Sequence, residues 1–205
     1  MQGREFFDDL RALGAVRAPR NVLEEVLDQV GLGDHFAALD TALGPVFVAW
    51  NRVGVSAVMK TGTAAEFGAR FRARFGREPR LVADLPAEIG TRFDLRSVTE
   101  FERAVLLKAR EIPRGEVRTY GWIAAQIGHP AAVRAVGTAL RKNPVPVLIP
   151  CHRVVRSDGH IGDYALGGSE AKLMILQSEG LGRGQIAQLV RAGRSAPPSQ
   201  LAANG

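Results

Sequence analysis

The chain has 205 residues, 46% hydrophobic and 23% charged, with 27 Lys and Arg against 21 Asp and Glu. That length allows one large domain or two small ones with a real core, and the composition excludes global disorder. The single cysteine, Cys151, excludes an internal disulfide framework and any zinc site built on several thiolates.

No apolar run approaches the roughly 20 residues of a membrane span. Around Phe6 and Phe7, the residues Arg4, Glu5, Asp8 and Asp9 break any signal-peptide pattern. A soluble, cytoplasmic protein without metal or other cofactor is expected. The net charge of +6 is local. Between residues 114 and 156, Arg114, Arg118, Arg134, Arg141, Lys142, Arg153 and Arg156 face one acid, Glu116, so this segment carries the whole excess and the remainder sums to zero. Such clustering is the electrostatic footprint of a polyanion-binding surface, and it contains the cysteine.

In chain order, residues 3–40 read as two short helices. Phe6, Phe7, Leu10 and Leu13 recur at helical spacing, then Val22, Leu23, Val26, Leu27 and Val30, with Glu24, Glu25 and Asp28 turned to solvent. Residues 46–50 and 53–59, joined by Asn51-Arg52, have strand character and predict a hairpin. A helix over 64–75 follows, with Phe67, Phe71 and Phe75 as its core stripe, then a short strand over 81–83. Residues 85–96 read as a linker between halves. Ser97 or Thr99 is expected to cap the next helix, which buries Phe101, Val105, Leu106 and Ala109.

Two short helices are predicted over 119–127 and 131–142, separated by Gly128-His129-Pro130 and stopped by Pro144. This is helix-turn-helix spacing. The second helix is nearly bare, with Ala131, Ala132, Ala135, Gly137 and Ala139 around one long side chain, Arg134. Small residues allow close packing in a core, or entry into a DNA minor groove with an arginine driven into the base stack. Next comes an apolar run over 145–149 that ends in Pro150-Cys151-His152-Arg153-Val154. A glycine-rich loop holding Tyr164 follows, then a helix capped by Ser169 with Leu173, Ile175 and Leu176 inward. A short helix with Ile186, Leu189 and Val190 precedes 194–205, a stretch expected to be disordered.

A lone thiol beside an imidazole is a candidate nucleophile. It attacks as the thiolate, so a proton acceptor is needed. Arg153 and the basic segment are expected to favour the anion, His152 to accept the proton through a water, and Glu179 to orient the imidazole. Acyl transfer would give a hydrolase that turns over, and alkyl transfer a thioether that spends the protein. Spacing alone does not choose.

The run Asn143-Pro-Val-Pro-Val-Leu-Ile-Pro150-Cys151-His152-Arg153-Val154-Val155, preceded by Gly115-Glu-Val-Arg-Thr-Tyr120 and Arg134-Ala-Val-Gly, resembles the methylated-DNA–protein-cysteine methyltransferase family, also called O6-alkylguanine-DNA alkyltransferases. The resemblance spans about residues 41–180 and is strongest over 115–155. It implies that Cys151 takes the alkyl group from O6 of a flipped guanine, or from O4-alkylthymine, in double-stranded DNA, with His152, a water and Glu179 removing the thiol proton. Tyr120 would donate toward guanine N3, and the carbonyls of Cys151 and Val154 would accept from the exocyclic amine. Arg134 would fill the gap left by the base. Thr119, Ala132, Ala135, Gly137 and Arg141 would lie against DNA, Tyr164 and Ala165 against the substrate, and Asn143 would tie the helix-turn-helix to the active-site segment.

Three positions depart from that pattern. Asp163 stands where Asn or Gly is usual, Ala165-Leu166 adds one position, and Val133 is bulkier than the small residue expected on the DNA-facing helix. A damage-binding protein without transfer, or a cysteine hydrolase, are the competing functions. Periodicity and resemblance together predict an α/β (α+β) chain acting as a monomer. Its parts are a helical extension over 1–40, an N-terminal domain with a small β-sheet and linker over 41–96, a mostly helical C-terminal domain with the helix-turn-helix and the cysteine over 97–182, and a tail over 183–205.

Overall fold

The structure, a computed structural model, describes residues 20–195. The expected helix carrying Phe6, Phe7, Leu10 and Leu13 lies outside the described residues, as does the tail from 196 on. The order is α1 (Arg20–Gln29), β1 (His35–Leu39), β2 (Val46–Trp50), β3 (Val55–Met59), α2 (Ala64–Phe75), β4 (Arg80–Leu81), α3 (Glu100–Arg110), β5 (Arg118–Thr119), α4 (Tyr120–Gln126) and α5 (Val133–Arg141). A 3-10 turn (Cys151–Arg153), β6 (Val154–Val155), α6 (Gly168–Ser178) and α7 (Arg183–Ser195) complete it. Among the described residues no helix is long and apolar enough to cross a membrane.

The hairpin forms as its alternation requires. β2 and β3 pair antiparallel, and Asn51 and Gly54 close the turn by mutual backbone bonds of 3.0 and 3.1 Å. Side chains alternate across the strands except at a register irregularity between Ala49 and Trp50, which leaves Val55 and Ala57 on different faces. Val46, Val48, Val55 and Val58 enter a core shared with Val105, Leu106, Ile123 and Val136, while Ala49 and Ala57 face Phe67 and Phe71 of α2 on the other side. Thr63 caps α2 by accepting from Glu66 N, and Gly76, at φ 68°, ends it. The expected aromatic stripe is therefore core. Thr99, rather than Ser97, caps α3 in a reciprocal capping box with Glu102.

Three expectations are corrected. The first is the helical extension over 1–40: residues 35–39 are β1, which pairs antiparallel with β2 and parallel with β4 in the sheet order β3-β2-β1-β4. Five residues, two of them alanine, carry little strand signal of their own, and pairing decides them.

The second is the linker over 85–96, which runs along the outer edge of β3. Val55 N donates to Arg92 O at 2.9 Å and Asp94 N to Val55 O at 2.8 Å. Buried Asn51 then donates to both Asp34 and Asp94, at 3.0 and 2.9 Å, and Arg96 donates to Asp94 and to Gly31 O. The third is where the tail begins. The expected helix with Ile186 and Val190 forms as α7 and packs on Val117, Val155, Leu176 and Leu181, but it runs to Ser195 and so takes in Arg194, where disorder was expected to start. In addition, α6 begins at Gly168, and Ser169 is not its cap.

The same β3 edge receives the active-site segment. Val58 N donates to Pro144 O at 2.7 Å, and Arg74 of α2 donates to Lys142 O, just past the end of α5, at 2.8 Å. The N-terminal sheet thus serves as a brace for residues 142–150. Val147, in this segment, has φ 73°, the one positive φ of a non-glycine among the described residues. A β-branched residue there is strained, and it persists because its neighbours are pinned on both sides.

Candidate active site

The cysteine sits where three elements converge. Thr119 accepts from Trp122 N at 3.1 Å and starts α4, Gly128 (φ 77°) ends it, and α5 follows to Arg141. The helix-turn-helix is formed as expected, but the Thr119 hydroxyl is committed to capping. Past α5, Asn143 turns inward and is 3% exposed. Its Oδ1 accepts from Val145 N at 3.0 Å, and its Nδ2 donates to Ile149 O at 3.1 Å and to Cys151 Sγ at 3.2 Å. One side chain thereby fixes the whole turn that delivers the thiol.

Cys151 and His152 lie on the 3-10 turn and not on a strand, so strand alternation does not set their directions. They are 4% and 1% exposed. His152 Nε2 meets Glu179 Oε1 at 3.1 Å, which makes Nε2 the protonated nitrogen and leaves Nδ1 as the lone-pair acceptor. That Nδ1 is buried and has no hydrogen-bond partner among the described residues. Burial pushes the imidazole down from its ordinary value, and the Glu179 carboxylate opposes this. Glu179 itself is held at about 2, because the His152 and Arg153 hydrogen bonds outweigh its burial.

Arg153 does not serve the thiol as expected. It forks onto Glu179 at 3.0 and 2.7 Å and donates to Ile112 O at 2.6 Å. The charge that opposes the burial of Cys151 is that of Lys172 of α6. Burial pushes the thiol up, and the Asn143 hydrogen bond and the Lys172 charge oppose that rise. Lys172 is 1% exposed, donates to Val154 O at 2.7 Å and approaches the Tyr120 hydroxyl at 3.5 Å; burial lowers it to about 8. Sequence reasoning missed this residue. Its signal was spacing, since Lys172 stands three and four positions before Ile175 and Leu176, on the inward stripe.

Tyr120 is pushed up, first by burial and then by Cys151 and Asp163, so its hydroxyl keeps its proton and can donate. Gly162, at φ 75°, brings the following loop against that hydroxyl; a Cβ there would lie 3.1 Å from it. Tyr164 is buried edge-on to His152, with ring centroids 6.1 Å apart. The Val154 carbonyl already accepts from Lys172, and the Cys151 carbonyl from Val154 N. Both keep a second lone pair.

Cys151 lines a cavity of about 270 Å³, walled on one side by Arg134, Gly137 and Arg141 of α5 and on the other by Tyr120, Asp163, Tyr164 and Ala165. Ala132 caps α5 without a side-chain bond, and Ala135 and Val133 are exposed on it. The seven basic residues of the 114–156 segment now separate into two kinds. Arg114 is tied to Ser178 O, and Arg118, Lys142, Arg153 and Arg156 pair with acids. Among the described residues, Arg134 and Arg141 make no such bond, and both line the cavity.

Behind the helix-turn-helix the structure thus sets a buried thiol with a histidine–carboxylate pair beside it. Residues 100–181 match the family model for the 6-O-methylguanine DNA methyltransferase DNA-binding domain. The methylated-DNA–protein-cysteine methyltransferase of Methanosarcina acetivorans is 36% identical over 155 residues, 71% of this chain and 98% of that protein. The rat protein of the same name is 52% identical over 88 residues, and the match spans 42% of its length. The solved structure of Mycobacterium tuberculosis OGT in complex with DNA covers 74% of this chain and 98% of that one, at 26% identity and a TM-score of 0.55. The chain belongs to the methylated-DNA–protein-cysteine methyltransferase family, a family of enzymes.

Proposed function

We propose that the protein repairs double-stranded DNA by moving the alkyl group of O6-alkylguanine, and of O4-alkylthymine, onto Cys151, once per molecule and as a monomer in the cytoplasm. The observation that carries this reading is that the two unpaired arginines of α5 and the thiol share one cavity. A polyanion brought against α5 by Arg134 and Arg141 meets the nucleophile directly.

The target atom is inaccessible inside a duplex, so the base must turn out into the cavity at a cost of about a few kcal/mol. Arg134 fills the space it leaves, while Ala132, Ala135 and Gly137 let the backbone of α5 approach the groove. His152 Nδ1 accepts the thiol proton through a water, and Glu179 stabilises the imidazolium that results. Lys172 and Asn143 favour the thiolate. Sγ then bonds to the alkyl carbon as the bond from that carbon to O6 breaks. The electron pair leaves on guanine, and Tyr120 donates toward N3 as that negative charge grows. The anion takes up one proton, balanced by the one His152 holds and can release, so that repaired guanine and a thioether remain. Water does not cleave the thioether, so there is no turnover.

Rapid-quench transfer from a labelled O6-methylguanine duplex tests this. One equivalent of label on protein is expected, and Cys151→Ser should accept none. Label released catalytically as a small molecule would refute the reading and favour a hydrolase.

A further inference from the structure

The loop over 162–168 brings to the cavity a charge that the transfer chemistry does not use. Asp163 is exposed at the rim of the space shared by Cys151, Tyr120 and Arg134. Its Oδ1 accepts from Tyr164 N at 3.0 Å, which fixes the carboxylate to the loop. Among the described residues it has no ion-pair partner. Its field is felt within the site, raising Tyr120 and opposing the effect of burial on Lys172.

Resting on the alkyl-transfer function above, we propose that Asp163 sets the charge selectivity of the reaction, favouring adducts whose alkyl group is uncharged and disfavouring those that carry a carboxylate. The bond changes are the same for every adduct. Sγ bonds to the carbon attached to O6, the carbon–O6 bond breaks, and its pair leaves on guanine. Whatever hangs beyond that carbon must be housed by the walls of a cavity of about 270 Å³, one of which is the stretch Asp163-Tyr164-Ala165. With Arg134 and Arg141, which line the same cavity, engaged by the DNA, a carboxylate held there meets the Asp163 charge on the cavity wall, and like charges so placed slow the reaction by about tenfold. A neutral amide of the same size meets no such barrier.

The test uses the full chain under single-turnover conditions, with duplexes carrying O6-methyl-, O6-carbamoylmethyl- or O6-carboxymethylguanine. The last two differ in charge and hardly in size, so the wild-type protein alone reads out the effect. Carbamoylmethyl transfer is expected to exceed carboxymethyl transfer by about tenfold, the gap closing to within about threefold in Asp163→Asn and persisting in Asp163→Glu. Asn keeps the Oδ1 acceptor for Tyr164 N while removing the charge. Equal rates in the wild type, or a gap that Asp163→Asn leaves intact, overturn the proposal. Absence of transfer from all three duplexes, the methyl one included, instead overturns the alkyl-transfer function on which it rests.

Discussion

Asn143 donates to the sulfur of Cys151 at 3.2 Å, and the same amide nitrogen reaches the Ile149 carbonyl at 3.1 Å. Its two N–H groups serve the nucleophile and the turn that carries it, so chemistry and geometry depend on one side chain. Asn143→Ala leaves Val145 N and Ile149 O without their buried partner. A loss of about 2 kcal/mol is expected, read as a melting temperature lower by about 4–8 °C, with slower transfer at equal folded concentration. An unchanged transfer rate would show that the bond to sulfur is incidental.

On the proposed mechanism Lys172 favours the thiolate, so Lys172→Met, which keeps the chain length and removes the charge, should raise the thiol pKa. The pH dependence of Cys151 alkylation by iodoacetamide reads this directly. A shift of about one unit toward higher pH, equal to about tenfold slower reaction at neutral pH, is expected. An unmoved profile would return the role to Asn143 alone.

Glu179 joins His152 and Arg153, and its pKa of about 2 lies below the ordinary 4.5. A depressed carboxylate contributes stability that is fully present above the unfolded pKa and is lost as pH falls through the folded one. Glu179→Gln should therefore cost about 2–3 kcal/mol in urea unfolding at pH 7. The difference from wild type should shrink between pH 4.5 and pH 2. A gap that stays constant across that range would contradict the pairing. For transfer, His152 is depressed below 6.5, so its acceptor form survives at that pH and the acid limb of the rate lies lower still.

Among the described residues Arg134 has no acidic partner, and it lines the cavity. In Arg134→Ala the duplex loses both a phosphate-side cation and the side chain that fills the vacated stack. Transfer from an O6-methylguanine duplex should fall by about ten- to a hundredfold. Reaction with the free alkylated base, which needs no flipping, should fall far less. Equal losses on both substrates would place Arg134 in base contact instead.

These residues were unequally legible in the sequence. The nucleophile was plain, because a lone cysteine beside histidine at the end of a proline-bounded apolar run has few other uses. The helix-turn-helix was legible because Gly128 and Pro144 punctuate it. β1 was not, since His35–Leu39 is short and becomes a strand only through β2 and β4. Adjacency assigns Arg153 to the thiol, yet its fork goes to Glu179, 26 positions along the chain. Lys172 was passed over because lysines on amphipathic helices ordinarily face water; the Val154 carbonyl and the Tyr120 hydroxyl that receive it come from other elements.

The central claim is that Cys151 ends the reaction carrying the alkyl group. Intact-mass measurement of the full chain after mixing with a duplex containing O6-methylguanine tests it most directly, followed by mass mapping of its peptides. A gain of one CH2 unit on every active molecule is expected, located on the Cys151 peptide and lacking in Cys151→Ser. An unchanged mass in folded protein that still binds the duplex would contradict it and leave a damage-binding protein without transfer.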